Sequence, residues 1–199
     1  MEKPLIEFET ERLYVRPVRE NDKEEYMALR ASTSILSEYY EKNSEHLNHE
    51  WNNEFNSKDN IYLSVFLKEN GSFAASCSFQ KYQSDTIEFG FDVMAEYRNQ
   101  GFATELVKGM LRVMHLQFPG KSVKIRTRKD NAACRRVADK CGGIIVGYEP
   151  DPLFTLLADL AGKIREDAQT SPALKKRVKE IDDLLAQKKE TVCVYRIDP

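Results

Sequence analysis

The apolar residues change their period once, near residue 95, and that change limits what the chain can become. Upstream, Ile61 to Leu67, Phe73 to Tyr82 and Thr86 to Met94 are rich in β-branched and aromatic residues and read as strands. Glu69-Asn70-Gly71 joins the first two as a hairpin signal, and Gln83-Ser84-Asp85 joins the second to the third. Three strands linked by short turns predict an antiparallel meander. Downstream, Phe102, Leu106, Met110, Val113 and Met114 recur at helical spacing, which predicts a helix over 99–117 that Pro119-Gly120 stops. Ser122 to Thr127 reads as a strand. Asp130 or Asn131 caps a helix to Lys140, closed by Cys141-Gly142-Gly143, and Ile144 to Tyr148 is a further strand. A meander followed by a βαβαβ passage predicts a mixed sheet with helices on its faces.

The flanks fit this plan. Arg12 to Arg16 alternates polar and apolar residues, and Pro17 ends that strand. Glu20-Asn21-Asp22 opens a helix through Arg30. Residues 31–58 are polar with embedded aromatics, Tyr39, Tyr40, Trp51 and Phe55, and read as short helices and loops. Over 151–189, Leu153, Phe154, Leu157, Leu160 and Ile164 fall on one helix face, and Leu174, Val178, Ile181 and Leu185 on another. Thr170-Ser171-Pro172 starts the second helix, so the pair reads as an antiparallel hairpin, serving packing or dimerisation or acting as a lid. Thr191 to Ile197 supplies the last strand. At 199 residues the expectation is one domain, with 151–189 as a helical insertion before that strand.

Composition excludes more than it selects. The net charge of -2 gives no field suited to nucleic acid. No run has signal-peptide or bilayer-spanning length, so a cytoplasmic protein without a membrane partner is expected. Four scattered cysteines with no CxxC pair read as reduced thiols. His46-x-x-His49 beside Glu45 and Glu50 lacks further ligands at a recognisable spacing, so it reads as a solvated helix face and no metal is expected.

Chemistry is concentrated at Arg98-Asn99-Gln100-Gly101-Phe102-Ala103, between an apolar strand and the long helix. Gly101 lets the backbone approach a bulky anion. The first helical turn leaves amide N–H groups without intrahelical partners, and the helix dipole adds to them, so the turn suits a pyrophosphate. Arg98 can add charge-assisted bonds. The turn is neither a GxGxxG fingerprint nor a P-loop, which disfavours NAD and ATP.

Four blocks, in order, resemble the GNAT superfamily of acetyltransferases, most closely its ribosomal-protein alanine N-acetyltransferase (RimJ/RimL-like) branch. They are Thr10-Glu11-Arg12-Leu13-Tyr14-Val15-Arg16-Pro17, Ile87-Glu88-Phe89-Gly90-Phe91-Asp92-Val93, Tyr97 through Glu105, and Asn131 through Gly143. The resemblance implies a GNAT fold of about seven strands and a direct transfer of acetyl from acetyl-CoA to a primary amine, on a protein N-terminus or a small molecule. It implies that Phe91, Asp92 and Val93 offer backbone groups to the pantetheine arm and thioester. Arg98, Asn99, Gln100, Gly101, Phe102, Ala103 and Thr104 would cradle the pyrophosphate, and Asn131 would bond the pantetheine. Glu88, at the family's strand glutamate, is the expected base, and Cys134 would face the sulfur.

The closing Cys141-Gly142-Gly143 departs from the family's apolar residue, Gly, then Phe, and two further departures bear on the chemistry. Ala138 stands where many members have a tyrosine acid, and Cys134 where this branch has serine, a stronger donor than a thiol. These departures leave a second reading open, a catalytically silent acyl-CoA-binding module with a helical assembly element.

Overall fold

The computed structural model describes residues 3–33, 44–150, 161–162, 165, 175–176, 178–179, 182–183 and 192–198. Most of the helical pair expected at 151–189, Tyr39 and Tyr40, and the His46 side chain lie outside the described residues. Eight strands form one sheet: β1 (Phe8–Glu9), β2 (Leu13–Pro17), β3 (Asn60–Leu67), β4 (Phe73–Gln80), β5 (Thr86–Val93), β6 (Ser122–Arg128), β7 (Ile144–Glu149) and β8 (Val192–Ile197). Their order is β1-β2-β3-β4-β5-β6-β8-β7. The described helices are α1 (Lys23–Thr33), α2 (Ser44–Phe55), α3 (Phe102–Gln117) and α4 (Ala132–Lys140).

The meander is as expected: β3, β4 and β5 pair antiparallel, and β5 then pairs parallel with β6. The strand beyond the expected seven is β1, where Phe8 lies opposite Val15. Two residues carry no alternation, so periodicity could not show it. Strand β4 ends at Gln80, not Tyr82, and Lys81 adopts a positive φ of 52° at the turn.

The chain divides into two compact units, one of Met1–Ile125, Val137–Ile144 and Arg196–Pro199, the other of Arg126–Arg136 and Ile145–Tyr195. In the first unit, cross-strand register sorts the sheet into two faces of opposite character. One face carries the apolar rows Val15–Val65–Ala75–Val93 and Ile61–Phe79–Phe89. Helix α3 packs against β1 and β5 on this side, and the Phe118 ring just after it lies tilted against Phe79 at 6.3 Å. Gly109 permits the approach to β1, since a Cβ there would lie 2.7 Å from the Phe8 ring.

The other face is polar, with rows Arg16–Ser64–Ser76–Asp92, Tyr62–Ser78–Gly90 and Asn60–Gln80–Glu88. Helix α1 packs over β4 and β5 here, and α2 packs on α1 and β3. Tyr26, Met27 and Trp51 form a small core between the helices, with Trp51 edge-on to Tyr26 at 5.7 Å. Trp51 is thus a packing residue. Among the described residues no helix is long and apolar enough to cross a membrane. All four cysteines are free.

The second unit has its own polar ties. Arg126 pairs with Glu149 and Arg128 with Asp130, while Arg135 donates to the Lys129 carbonyl and the Tyr195 hydroxyl. Arg165 pairs with Asp182.

Candidate active site

Strand β5 changes character along its length. Its pairing with β6 runs from Thr86 opposite Ser122 to Glu88 opposite Lys124. Ile87, Glu88 and Phe89 are buried, whereas Gly90, Phe91, Asp92 and Val93 are each half-buried although β4 still pairs beside them. The end of β5 is therefore held on one edge and accessible.

A tight turn follows. A 3-10 turn spans Ala95–Tyr97, then Asn99 and Gly101 take positive φ values of 62° and 85°. That conformation is unfavourable for most L-residues, which explains glycine at 101. The helix begins at Phe102, not Asn99, because Gly101 occupies the N-cap position in the left-handed region. The first closed helical bond is Glu105 N–H to the Gly101 carbonyl at 3.1 Å. The amides of Phe102, Ala103 and Thr104 precede it and have no intrahelical acceptor. Arg98, Asn99, Gln100 and Gly101 are exposed, so an anion can reach them. Arg98 Nε donates to the Val93 carbonyl at 3.0 Å, tying the turn to the end of β5. The geometry thus brings the expected residues at 91–93 and 98–104 into one connected segment.

Sequence reasoning gave no role to the residues that hold this turn. Glu105 Oε1 accepts from Thr10 Oγ1 at 2.5 Å and from the Arg12 amide at 2.8 Å, and its Oε2 accepts from Arg12 Nε at 2.7 Å. Burial pushes the Glu105 carboxyl up, but the bonds from Thr10 and Arg12 outweigh it and hold the group below the ordinary carboxylate range. Arg12 also donates to the Gln100 carbonyl at 3.2 Å and lies 4.0 Å over the Phe102 ring.

Glu88 is buried on the polar face, with Lys124 Nζ at 4.0 Å from its carboxylate. It shares that face with Gly90, where a Cβ would lie 2.6 Å from Ser78 Oγ, and with Asp92. Helix α1 adds Arg30, which donates to Glu54 at 2.8 Å and approaches Asp92 to 3.5 Å. Tyr26 donates to the same Glu54 carboxylate at 3.0 Å. Burial pushes the Glu54 carboxyl above its ordinary range, with Arg30 opposing. Arg30 Nε is buried and makes no hydrogen bond among the described residues. Two carboxylates, Glu54 and Asp92, thus share one guanidinium on the polar face, a cluster whose charge suits a cationic or hydrogen-bonding guest.

In the second unit, Asn131 Oδ1 accepts the Cys134 amide at 3.0 Å and caps α4. Cys134 is half-buried. In the first unit, Ala138 is fully buried, and Gly143 N–H bonds its carbonyl at 2.9 Å in a Schellman closure with Gly142 at φ 82°. Four basic residues of 121–129 are engaged within their own units: Lys121 with the Tyr82 carbonyl, Lys124 with Glu88, Arg126 with Glu149 and Arg128 with Asp130.

The sequence profile of the acetyltransferase (GNAT) domain matches residues 12–144, more than half of the chain. The chain belongs to the GNAT acetyltransferase family. No curated protein matches the sequence. Solved structures match over nearly the whole length. A GNAT-family acetyltransferase from Bacillus anthracis superimposes with a TM-score of 0.66 at 18% identity, covering 97% of this chain and 98% of that one. A provisionally named ribosomal-protein-serine acetyltransferase from Vibrio cholerae gives 0.63 at 12%, covering 98% of each chain. A spermidine N-acetyltransferase from Vibrio cholerae, in complex with CoA and spermine, gives 0.62 at 12%, covering 94% and 95%. At these identities the likeness establishes the fold, which is the GNAT fold. GNAT enzymes are acyltransferases that take acetyl from acetyl-CoA and pass it to amines.

Proposed function

We propose that this GNAT enzyme binds acetyl-CoA along the end of β5 and the turn into α3, and transfers acetyl directly to a primary amine. The observation that carries the reading is the exposed Asn99–Gly101 turn, whose left-handed residues start α3 with amides that lack intrahelical acceptors, beside the accessible end of β5. Arg98 through Thr104 take the pyrophosphate, and backbone groups of Phe91, Asp92 and Val93 take the pantetheine and the thioester carbonyl. The resemblance alone assigns the Asn131 amide to the pantetheine and Cys134 to the sulfur.

Transfer requires a base for the ammonium, a donor for the developing oxyanion and departure of a thiolate. Glu88 is the base in this reading, directly or through water; its place on the polar face in line with Gly90 and Asp92 supports the role. The acceptor is placed beside the Arg30, Glu54 and Asp92 cluster on the polar face. The RimJ/RimL-like blocks favour an α-amine on a protein, and the spermine-bound neighbour supports a polyamine as second choice. The four free thiols support a cytoplasmic setting.

The test is the melting temperature of the purified protein titrated with acetyl-CoA, with ATP and NAD as controls. A ligand that binds only the native state stabilises it by about 2.7 kcal/mol at a hundredfold excess over Kd. A shift with acetyl-CoA alone, followed by amine-dependent release of free thiol, supports the enzyme. A shift without thiol release for any amine class supports a silent acyl-CoA-binding module, and no shift removes the 98–104 turn as a phosphate seat.

A further inference from the structure

The pyrophosphate seat contains a feature that ought to weaken it. Glu105 lies in the first turn of α3, four residues after Gly101. Side chains on a helix tilt toward its N-terminus, so this carboxylate points back toward the end where the anion would sit. A carboxylate favours the helix dipole but repels a second anion at the same place.

Arg12 stands against both effects. Its guanidinium meets Glu105 Oε2 at 2.7 Å, and its backbone amide meets Oε1 at 2.8 Å. The same guanidinium grips the Gln100 carbonyl at 3.2 Å, covers the Phe102 ring and lies 3.5 Å from where a Gly101 Cβ would stand. Arg12, just before β2, thus holds Gln100 and Phe102 on either side of Gly101 together with their acidic neighbour. We propose that Arg12 is the positioning residue of the seat, cancelling the Glu105 carboxylate and fixing the 100–102 backbone so that the first amides of α3 face an incoming pyrophosphate. This rests on the acetyl-CoA reading above.

The two causes separate in a double-variant comparison. Calorimetry gives the acetyl-CoA Kd for wild type, Arg12→Gln and Arg12→Gln/Glu105→Gln, with melting temperatures as the check on folding. Arg12→Gln weakens acetyl-CoA about tenfold, the size of one charge-assisted hydrogen bond, because it leaves the carboxylate at the seat. The double variant removes that charge and recovers most of the loss. If Arg12→Gln does not fold, Arg12→Lys replaces it; it keeps a cation but cannot span Glu105 and Gln100 together, so it gives a smaller loss that Glu105→Gln likewise relieves. Wild-type affinity in the folded single variant overturns the inference. So does a double variant as weak as the single one, since Arg12 would then act without reference to Glu105. A wild-type protein that binds no acetyl-CoA overturns the underlying reading, and is seen before any variant is made.

Discussion

Arg30 on α1 reaches 3.5 Å from Asp92 near the end of β5 while its other terminal nitrogen holds Glu54 of α2 at 2.8 Å. One cation thus faces two carboxylates, and the excess negative charge lies next to the strand end that the proposal gives to the thioester. An ammonium entering there meets Asp92. Asp92→Asn keeps the backbone and the side-chain volume but removes the charge. It should lower kcat/KM for the amine about tenfold, equivalent to ~1.4 kcal/mol, and leave the acetyl-CoA-induced melting shift intact. Loss of that shift together with activity would mean Asp92 supports the cofactor end instead.

Asp22 makes a different kind of pair. Both terminal nitrogens of Arg16 meet its carboxylate at 2.7 Å, and the Arg19 amide and Ser64 hydroxyl add bonds at 2.9 and 2.8 Å. Burial pushes the Asp22 carboxyl up, but these bonds prevail and hold it below its ordinary value. A carboxyl with a lowered native pKa contributes stability above its unfolded value of about 3.9, and that stability is lost as pH falls through the native value. Asp22→Ala leaves Arg16 largely buried without its partner and should cost about 3 kcal/mol at neutral pH. Urea unfolding at stepped pH checks the sign: the curves of wild type and variant should converge below pH ~4. Parallel curves would show that the pair contributes packing alone.

Gly101 is constrained by conformation and by charge. At φ 85° an L-residue costs about 1 kcal/mol or more, so Gly101→Ala should lower stability by that order and reduce the acetyl-CoA shift. Gly101→Glu adds a carboxylate at the exposed turn and should abolish the shift. Unchanged acetyl-CoA affinity in a folded Gly101→Glu protein would move the phosphate seat elsewhere.

How much of this was legible depends on which residues carried a pattern. The meander, the parallel crossover and α3 were readable because Phe89, Leu106 and Met110 repeat at the period of their element. The Asn99–Gly101 turn was readable from one glycine before an amphipathic helix. Strand β1 was not, since Phe8–Glu9 is too short to alternate. The role of Arg12 was not, because its partner Glu105 lies 93 residues away and neither residue type is distinctive alone. The polar face was half legible. Glu88, Gly90 and Asp92 alternate visibly, but their alignment with Ser76, Ser78 and Gln80 needs the register of β4. Tyr26, Arg30 and Glu54 join that face only through helix packing, which no local pattern encodes.

Glu88 poses the sharpest chemical test. It is buried, lies on the same face as Asp92, and has Lys124 at 4.0 Å. A structural carboxylate and a catalytic one share those features, so stability and turnover have to be read separately. Glu88→Gln preserves shape and removes proton-accepting capacity. If Glu88 takes the proton from the amine, kcat should fall by about 10²- to 10⁴-fold, the ordinary contribution of a positioned base. The acetyl-CoA shift should persist, because the pyrophosphate turn lies at the other end of β5. The loss should shrink as pH rises, since more of the amine then arrives already neutral. A variant that melts earlier yet turns over at the wild-type rate would make Glu88 a partner of Lys124 within the sheet, and would transfer the search for the base to Asp92 and Glu54.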